Sequence, residues 1–418
     1  MKVAIVGSGI SGMAAGHFLA DHQHEVHLFE ADTRLGGHTH THEIEVDSGK
    51  YNVDTGFIVH NTKNYPHFLG LMKKLGVQTQ ESNMSFSVKA ESPDLEYNGT
   101  TINSLFAQRR NLVRPSFYRM IRDILRFNKE ATSYYQKIKD VLFEEKTLEE
   151  FLHLNRYSKE FTEHYIMPMG AAIWSASRQE MRHFPLNYFV RFFHHHGLLQ
   201  VNDRPVWRTL VNGSKSYIPF LTDNFKQNIH LNSPVQSVRR KHKFVEVVTG
   251  GKTLEFDHVV FATHADQTMK ILETPTPDES RVMSGFSYRP NDIILHTDTN
   301  VLPKRKLAHA SWNYYLPKSM RERVAVTYHM NILQNIQSPE KFLVSLNMDD
   351  FIDPKKIIKM IPYSHPVYDQ NSVNSQNQWG NISGKDRIHF CGAYWGNGFH
   401  EDGVKSALKV AGSFGIAG

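Results

Sequence analysis

The stretch VAIVGSGISGMAAGHFL, Val3 to Leu19, sets four apolar residues ahead of glycines at positions 7, 9, 12 and 16. The run KVAIV, residues 2–6, reads as a buried parallel strand, and Ile10 to Ala20 carries apolar residues at helical spacing. Glycines belong at such a handover when a ligand must come close to the backbone. Gly7 permits the tight turn, Gly9 lets a pyrophosphate approach, and Gly12 lets the helix pack on the strand. The free N–H groups of the first helical turn, at Ile10, Ser11 and Gly12, join the helix dipole in favouring phosphate charge.

A glycine turn alone is a weak sign, but here its context continues. A second strand, EVHLFEA from Glu25 to Ala31, ends near Glu30, which lies 18 residues after Gly12. That spacing places Glu30 and Ala31 at an adenosine ribose. Glu30 has no adjacent basic residue to receive a 2′-phosphate, so FAD or NAD is favoured over NADP. The next segment, ADTRLGGHTHTHE, holds Arg34, Gly36, Gly37 and His38 in a second turn, where close backbone approach and a guanidinium suit an extended dinucleotide.

Totals bound the rest. A chain of 418 residues has room for a large two-lobed enzyme. No apolar run approaches the roughly 20 residues of a membrane-spanning helix. The early glycines interrupt any signal-peptide h-region, so the chain is expected to start at Met1 and to work in the cytoplasm. The single cysteine, Cys391, allows neither an internal disulfide nor a Cys-x-x-Cys zinc site. Lys and Arg number 48 against 42 Asp and Glu, an excess too modest for a nucleic-acid binder, and no such motif is found.

At the Arg-x-Gly-Gly turn the chain resembles the flavin-containing amine oxidoreductase superfamily, and the resemblance implies noncovalent FAD. RIHFCGAYWGNGFHEDGVKSAL, Arg387 to Leu408, is similar to the superfamily's C-terminal flavin motif. There the last helix, expected to start near Asp402 and Gly403, would aim its N-terminus at the flavin's pyrimidine edge. Gly392, Ala393, Gly398, Phe399, Gly403 and Val404 are the expected contacts, with Asp402 as helix cap or ribityl partner. VDTGFIV resembles the segment crossing near the isoalloxazine, at Thr55, Gly56 and Phe57. IHLNSPVQSVRR resembles the strand that reads the adenine edge through Val235, and FDHVVFATHA the second dinucleotide-side strand, ending at Ala262 and Thr263.

The implied architecture is an α/β, two-lobed flavoprotein. Residues 1–80, 205–275 and 376–418 would form a Rossmann-like FAD-binding domain. Residues 81–204 and 276–375 would form an α+β substrate-binding domain, the first insertion helical and the second a mixed sheet. DIILHTD, HASWNYYL and RVAVTYHMNIL read as strands, with Trp312, Tyr314, Tyr328 and His329 flooring a cavity. YIMPMGAAIWSAS is expected to line it, and Gln376 to face the flavin. His194, His195 and His196 cannot all face one metal, so no metal site is expected. Residues 109–129, rich in arginine and apolar at helical spacing, allow peripheral contact with an anionic membrane, although a solvated helix face is at least as good a reading.

Within the superfamily the chain most resembles a bacterial branch of NAD/FAD-binding proteins, related to protoporphyrinogen oxidases and carotenoid desaturases. Its members are often encoded beside cyclopropane-fatty-acyl synthase-like methyltransferases. That resemblance implies oxidation or desaturation of a hydrophobic substrate such as an acyl lipid. Amine oxidation is the alternative, although RPNDIILHTD lacks the lysine that many amine oxidases place near the flavin. A lipid-partner binding protein without redox activity, like the Rab GDP-dissociation inhibitors, is a third reading. No catalytic side chain is assigned, because hydride transfer has no obligatory residue signature.

Overall fold

The computed structural model describes residues 1–138, 146–200, 205–318 and 323–416. The first strand, Lys2–Val6, lies central in a five-stranded parallel sheet ordered Ile229–His230, Glu25–Phe29, Lys2–Val6, His258–Phe261, Ile388–Phe390. Strand alternation divides its side chains between two layers. Val3, Ile5, Leu28 and Val260 face the helices Ile10–Asp21 and His400–Ser413. Ala4, Val6, Phe29 and Phe261 face the antiparallel sheet Val235–Arg240, Val245–Thr249 and Lys252–Phe256. These apolar residues are almost wholly buried, and each large one contributes about 1.5–3 kcal/mol relative to exposure.

A second, seven-stranded sheet runs Ile357–Val367, Ser287–His296, Leu343–Leu346, Val326–His329, Trp312–Leu316, Phe86–Glu91, Asp94–Asn98. It is mixed, since Trp312–Leu316 pairs parallel with Phe86–Glu91 and every other neighbour is antiparallel. One face packs on helices through Val88, Leu295, Val326 and Phe127, and the other on Val301, Leu302 and Met348. Two expectations need correction. The first insertion is not purely helical, because its hairpin Phe86–Glu91/Asp94–Asn98 completes this sheet. The second expectation, which read only three strands in the later insertion, misses the edge strand Ile357–Val367, which carries YSHPV. Its prolines, Pro362 and Pro366, are tolerated because the strand lies at the sheet edge.

Pro115 opens the long helix Pro115–Ile138, where its missing N–H costs nothing. Tyr165 to Ser177 folds as the π-helical turn Thr162–Ile166 followed by the helix Met167–Trp174. The expected boundary between residues 204 and 205 adjoins 201–204, which lie outside the described residues.

Burial makes this fold acid-sensitive. It lowers His40 and His400 from 6.5 to about 3, and His42, His60, His296 and His365 to about 4. The unfolded chain takes up these protons near pH 6.5, so the stability they contribute is fully present above 6.5 and is lost as pH falls toward 4. Asp54 and Asp402, raised by burial from 3.8 to about 6, act in the opposite sense between 3.8 and 6, but they are fewer. The thermal midpoint should therefore drop steeply between pH 6.5 and 4, and a level midpoint across that range would contradict the assignment.

Candidate functional site

Two helix N-termini converge where the first glycine turn leaves the parallel sheet. The helix Ile10–Asp21 starts at Gly9 with no side-chain cap, leaving its first N–H groups for another acceptor. The helix His400–Ser413 crosses it so closely that a Cβ on Gly403 would stand 2.7 Å from Ile10 Cγ2 and 2.9 Å from Ser11 Oγ. Gly7 turns with φ +102°, and its Cβ would come within 2.9 Å of the Ala262 carbonyl oxygen. Space opens beyond Gly9, where a Cβ would meet nothing within 4 Å.

The predicted residues gather on this centre. Gly36 N–H donates to Ser8 O at 3.1 Å, and a Cβ on Gly37 would lie 3.3 Å from the Gly9 Cα. Phe57 N–H donates to His38 O at 2.8 Å, so Thr55, Gly56 and Phe57 cross beneath the second turn. Ala262 N–H donates to Val6 O at 2.8 Å, Thr263 bonds Thr268, and Gly392 N–H donates to Ser406 Oγ at 3.0 Å. Val235 opens its strand just after Ser233, whose N–H donates to Glu30 O at 2.8 Å. Ala31 is exposed at the rim, Val404 is buried core, and Ala393 begins the turn Ala393–Trp395.

Several roles differ from expectation. Glu30 braces the loop as well as facing the site: its carboxylate accepts from Ser8 N at 2.9 Å, Ser8 Oγ at 2.5 Å and Asp32 N at 2.9 Å. Arg34 turns back on its own loop, donating to the carbonyls of Gly37 at 2.8 Å, Thr39 at 3.2 Å and Leu35 at 3.3 Å. It shapes the turn rather than reaching outward. Gln376 donates to the carbonyls of Tyr394 and Gly396, fixing the C-terminal loop. The last helix begins at His400, ahead of the expected start, and Asp402 caps it by accepting from Phe399 N–H at 3.0 Å. Phe399 packs at 5.4 Å from Phe192, on the helical side of the site.

A histidine cluster that sequence reading missed surrounds His38. Its ring lies 6.0 Å from His264, 5.5 Å from His365 and 4.7 Å from Tyr363. Burial drives His38 well below its ordinary range and, with the neighbouring His264, His365 to about 4, while His264 is also lowered. All three are neutral at pH 7. His264 directly follows the expected Ala262–Thr263, but His365 sits on the strand whose prolines hid its alternation. Tyr363 joins the cluster to a second set through His40 Nδ1 at 3.0 Å and Thr55 Oγ1 at 3.3 Å. His400, also unforeseen, stacks on Phe57 at 3.5 Å and bonds Thr39 Oγ1 at 3.0 Å.

Beside this cluster a narrow cleft is lined by Trp174, Phe184, Val367 and Tyr368, with His365 at its inner wall. Tyr368 stacks on Tyr188 at 5.4 Å, and Tyr188 OH donates to Gly396 O at 2.9 Å, so the cleft abuts the C-terminal glycine loop. Its charged lining residues, Glu180 and Arg289, neutralise one another at 2.6 Å.

A parallel sheet with a glycine turn, two convergent helix N-termini and a ribose-range acid defines a dinucleotide-binding fold. The chain belongs to the flavin-containing amine oxidoreductase family, whose profile matches residues 10–335. It is 38% identical over 87 residues to flavin-containing amine oxidase A from Canis lupus familiaris, 20% of this chain and 15% of that protein. The chain thus aligns with only a sixth or less of the curated relatives' length. Its fold is similar to that of wild-type putrescine oxidase bound to putrescine, with a TM-score of 0.70 at 15% identity, covering all of both chains. It is equally similar to a CLA-producing fatty acid isomerase from P. acnes, with a TM-score of 0.71 at 15% identity over 99% of this chain and 98% of the other.

Family membership makes FAD the cofactor expected at this centre. The uncapped helix at Gly9, the open space above it and the buried His38 Nε2, without a partner among the described residues, fit a phosphate-bearing cofactor at this centre. Cys391 is fully buried with its thiol pushed up by burial, which agrees with noncovalent binding. Glu30→Ala should raise the FAD dissociation constant about ten-fold or more, since a hydrogen bond to a charged group contributes about 1.5–3 kcal/mol. Fluorescence titration of the apoprotein checks this, and an unchanged constant would remove Glu30 from the site.

Proposed function

We propose that the enzyme oxidises or desaturates a neutral, hydrophobic substrate, of which a fatty acyl chain is the leading class. The observation that carries this reading is the lining of a tight cleft next to His365, about 10 Å³ as it stands, which must widen to admit an acyl chain. Aromatic and aliphatic side chains line it, and its one carboxylate is already satisfied by Arg289. A cationic amine entering there would find no free counter-charge among the described lining residues, and desolvating an unpaired ammonium is costly. An alkyl chain meets no such penalty and gains from burial.

Bound FAD supplies the acceptor for a hydride equivalent from a C–H bond. The chain's own contribution is position and water exclusion. Trp174, Phe184 and Tyr368 would flank the substrate, and His365, His264 and His38, held neutral by burial, add no charge beside it. Anaerobic mixing of the purified holoenzyme with phospholipids bearing unsaturated acyl chains should bleach the flavin bands and yield a product short of two hydrogens. Bleaching by polyamines or arylalkylamines, with none by acyl lipids, would overturn the reading in favour of amine oxidation.

A further inference from the structure

The arginine-rich segment divides into two parts with different fates. Along the helix Pro115–Ile138 two of the arginines are paired: Arg119 with Glu160 at 2.5 Å, and Arg126 with Asp123 at 3.4 Å while lying over the Tyr157 ring at 4.1 Å. The corner before it, residues 102–118, is built differently.

There large apolar side chains stand in solvent. Ile102 is 81% exposed and Val113 83%, with Leu112 at 49% and Tyr118 at 47%. The corner is one tied unit. Arg109 donates to Asn103 Oδ1 at 2.7 Å and to Phe106 O at 3.0 Å, and Tyr118 OH donates to Leu112 O at 2.9 Å. The turn Lys306–Ala308 packs against the short helix Ile102–Leu105 and adds Leu307, 47% exposed. Basic residues adjoin these tips in the chain: Arg109, Arg110 and Arg114 in one segment, Lys304, Arg305 and Lys306 in the other. Asp94 and Glu96 are the opposing carboxylates, held by Arg110 and by Arg305 at 3.0 Å. Among the described residues Arg109 itself binds only uncharged acceptors in this corner.

We propose that this corner is a peripheral docking surface for an anionic phospholipid bilayer. Exposed aliphatic tips are unfavourable in water and gain free energy in the acyl boundary, while a ring of cations gains from anionic headgroups. Exposed tips and a net positive rim together select a lipid surface over a polar protein partner. The inference stands on this surface alone and holds whichever substrate the cleft takes.

Cosedimentation of the holoenzyme with vesicles tests it. Binding is expected to phosphatidylcholine vesicles containing phosphatidylglycerol, weak to phosphatidylcholine alone, and reduced by salt. Arg109→Glu should lower the partition coefficient at least about five-fold, the factor corresponding to about 1 kcal/mol per basic residue near such a surface. Ile102→Ser with Val113→Ser should lower it further, with FAD content and thermal midpoint unchanged because both side chains are exposed. Equal binding to neutral vesicles, no binding, or variants that bind like the parent would overturn the proposal. So would a dimer in light scattering that these substitutions dissolve, which would assign the corner to a second copy of the chain.

Discussion

Gly12→Val is expected to give a colourless protein. A Cβ at position 12 would collide with the Gly7 carbonyl oxygen and lie 3.0 Å from the Ala262 Cβ, both on the framework that holds the glycine turn. Neither neighbour can move freely. Gly7 is fixed by its N–H bond to Phe29 O at 2.9 Å, and Ala262 by its bond to Val6 O at 2.8 Å. The first helix must therefore shift off the sheet, taking with it the N–H groups aimed at the phosphates. The ratio of flavin absorbance to protein absorbance after desalting should fall to about a tenth or less of the parent's, because several N–H donors would then point away from the phosphate oxygens. Parental flavin content in this variant would show that the pyrophosphate does not sit on this turn.

The largest loss of stability is expected from Asp54→Ala. The carboxylate is fully buried and accepts from Thr41 Oγ1 at 2.5 Å, Ser214 N at 2.9 Å, Ser214 Oγ at 2.8 Å and Gln334 Nε2 at 2.8 Å. Its own N–H donates to Gln334 Oε1 at 2.9 Å. Three segments far apart in sequence thus meet on one side chain, directly before Thr55, Gly56 and Phe57. Removing it leaves buried donors without an acceptor, at a cost of about 3–5 kcal/mol. Burial raises this carboxyl to about 6, so its contribution favours the fold below pH 3.8 and is lost as pH rises through 6. The Ala variant should therefore lie closer to the parent at pH 7 than at pH 5 in denaturant titrations. A midpoint unchanged at both values would mean that the knot is dispensable.

The flavin half was legible because its determinants are local. A strand, a turn with no room for a side chain at Gly7 or Gly12 and a helix start occupy eleven consecutive residues from Lys2 to Gly12. Gly392 is likewise crowded locally, by Tyr394, whereas Gly403 meets Ile10 and Ser11 from the other end of the chain. The substrate half was legible only in part. The strands at Ile293, Tyr314 and Val326 show alternation, but Leu343–Leu346 is too short and too uniformly apolar to separate from a helix turn. Ile357–Val367 carries two prolines that read as breaks until its edge position is known.

Sequence by itself determined the cofactor class, through the spacing of the glycines and Glu30, although the partners that crowd Gly7 and Gly403 lie far away in the chain. Tertiary structure alone decided which side chains meet across it. His38, His264 and His365 come from three segments, joined only in the folded chain. Arg34 and Gln376 spend their donors on carbonyls whose positions no spacing encodes. The exposed corner at Ile102 and Val113 is apolar in sequence like any core residue. Only packing left it outside, because burial is a property of the whole chain's arrangement and not of the residue.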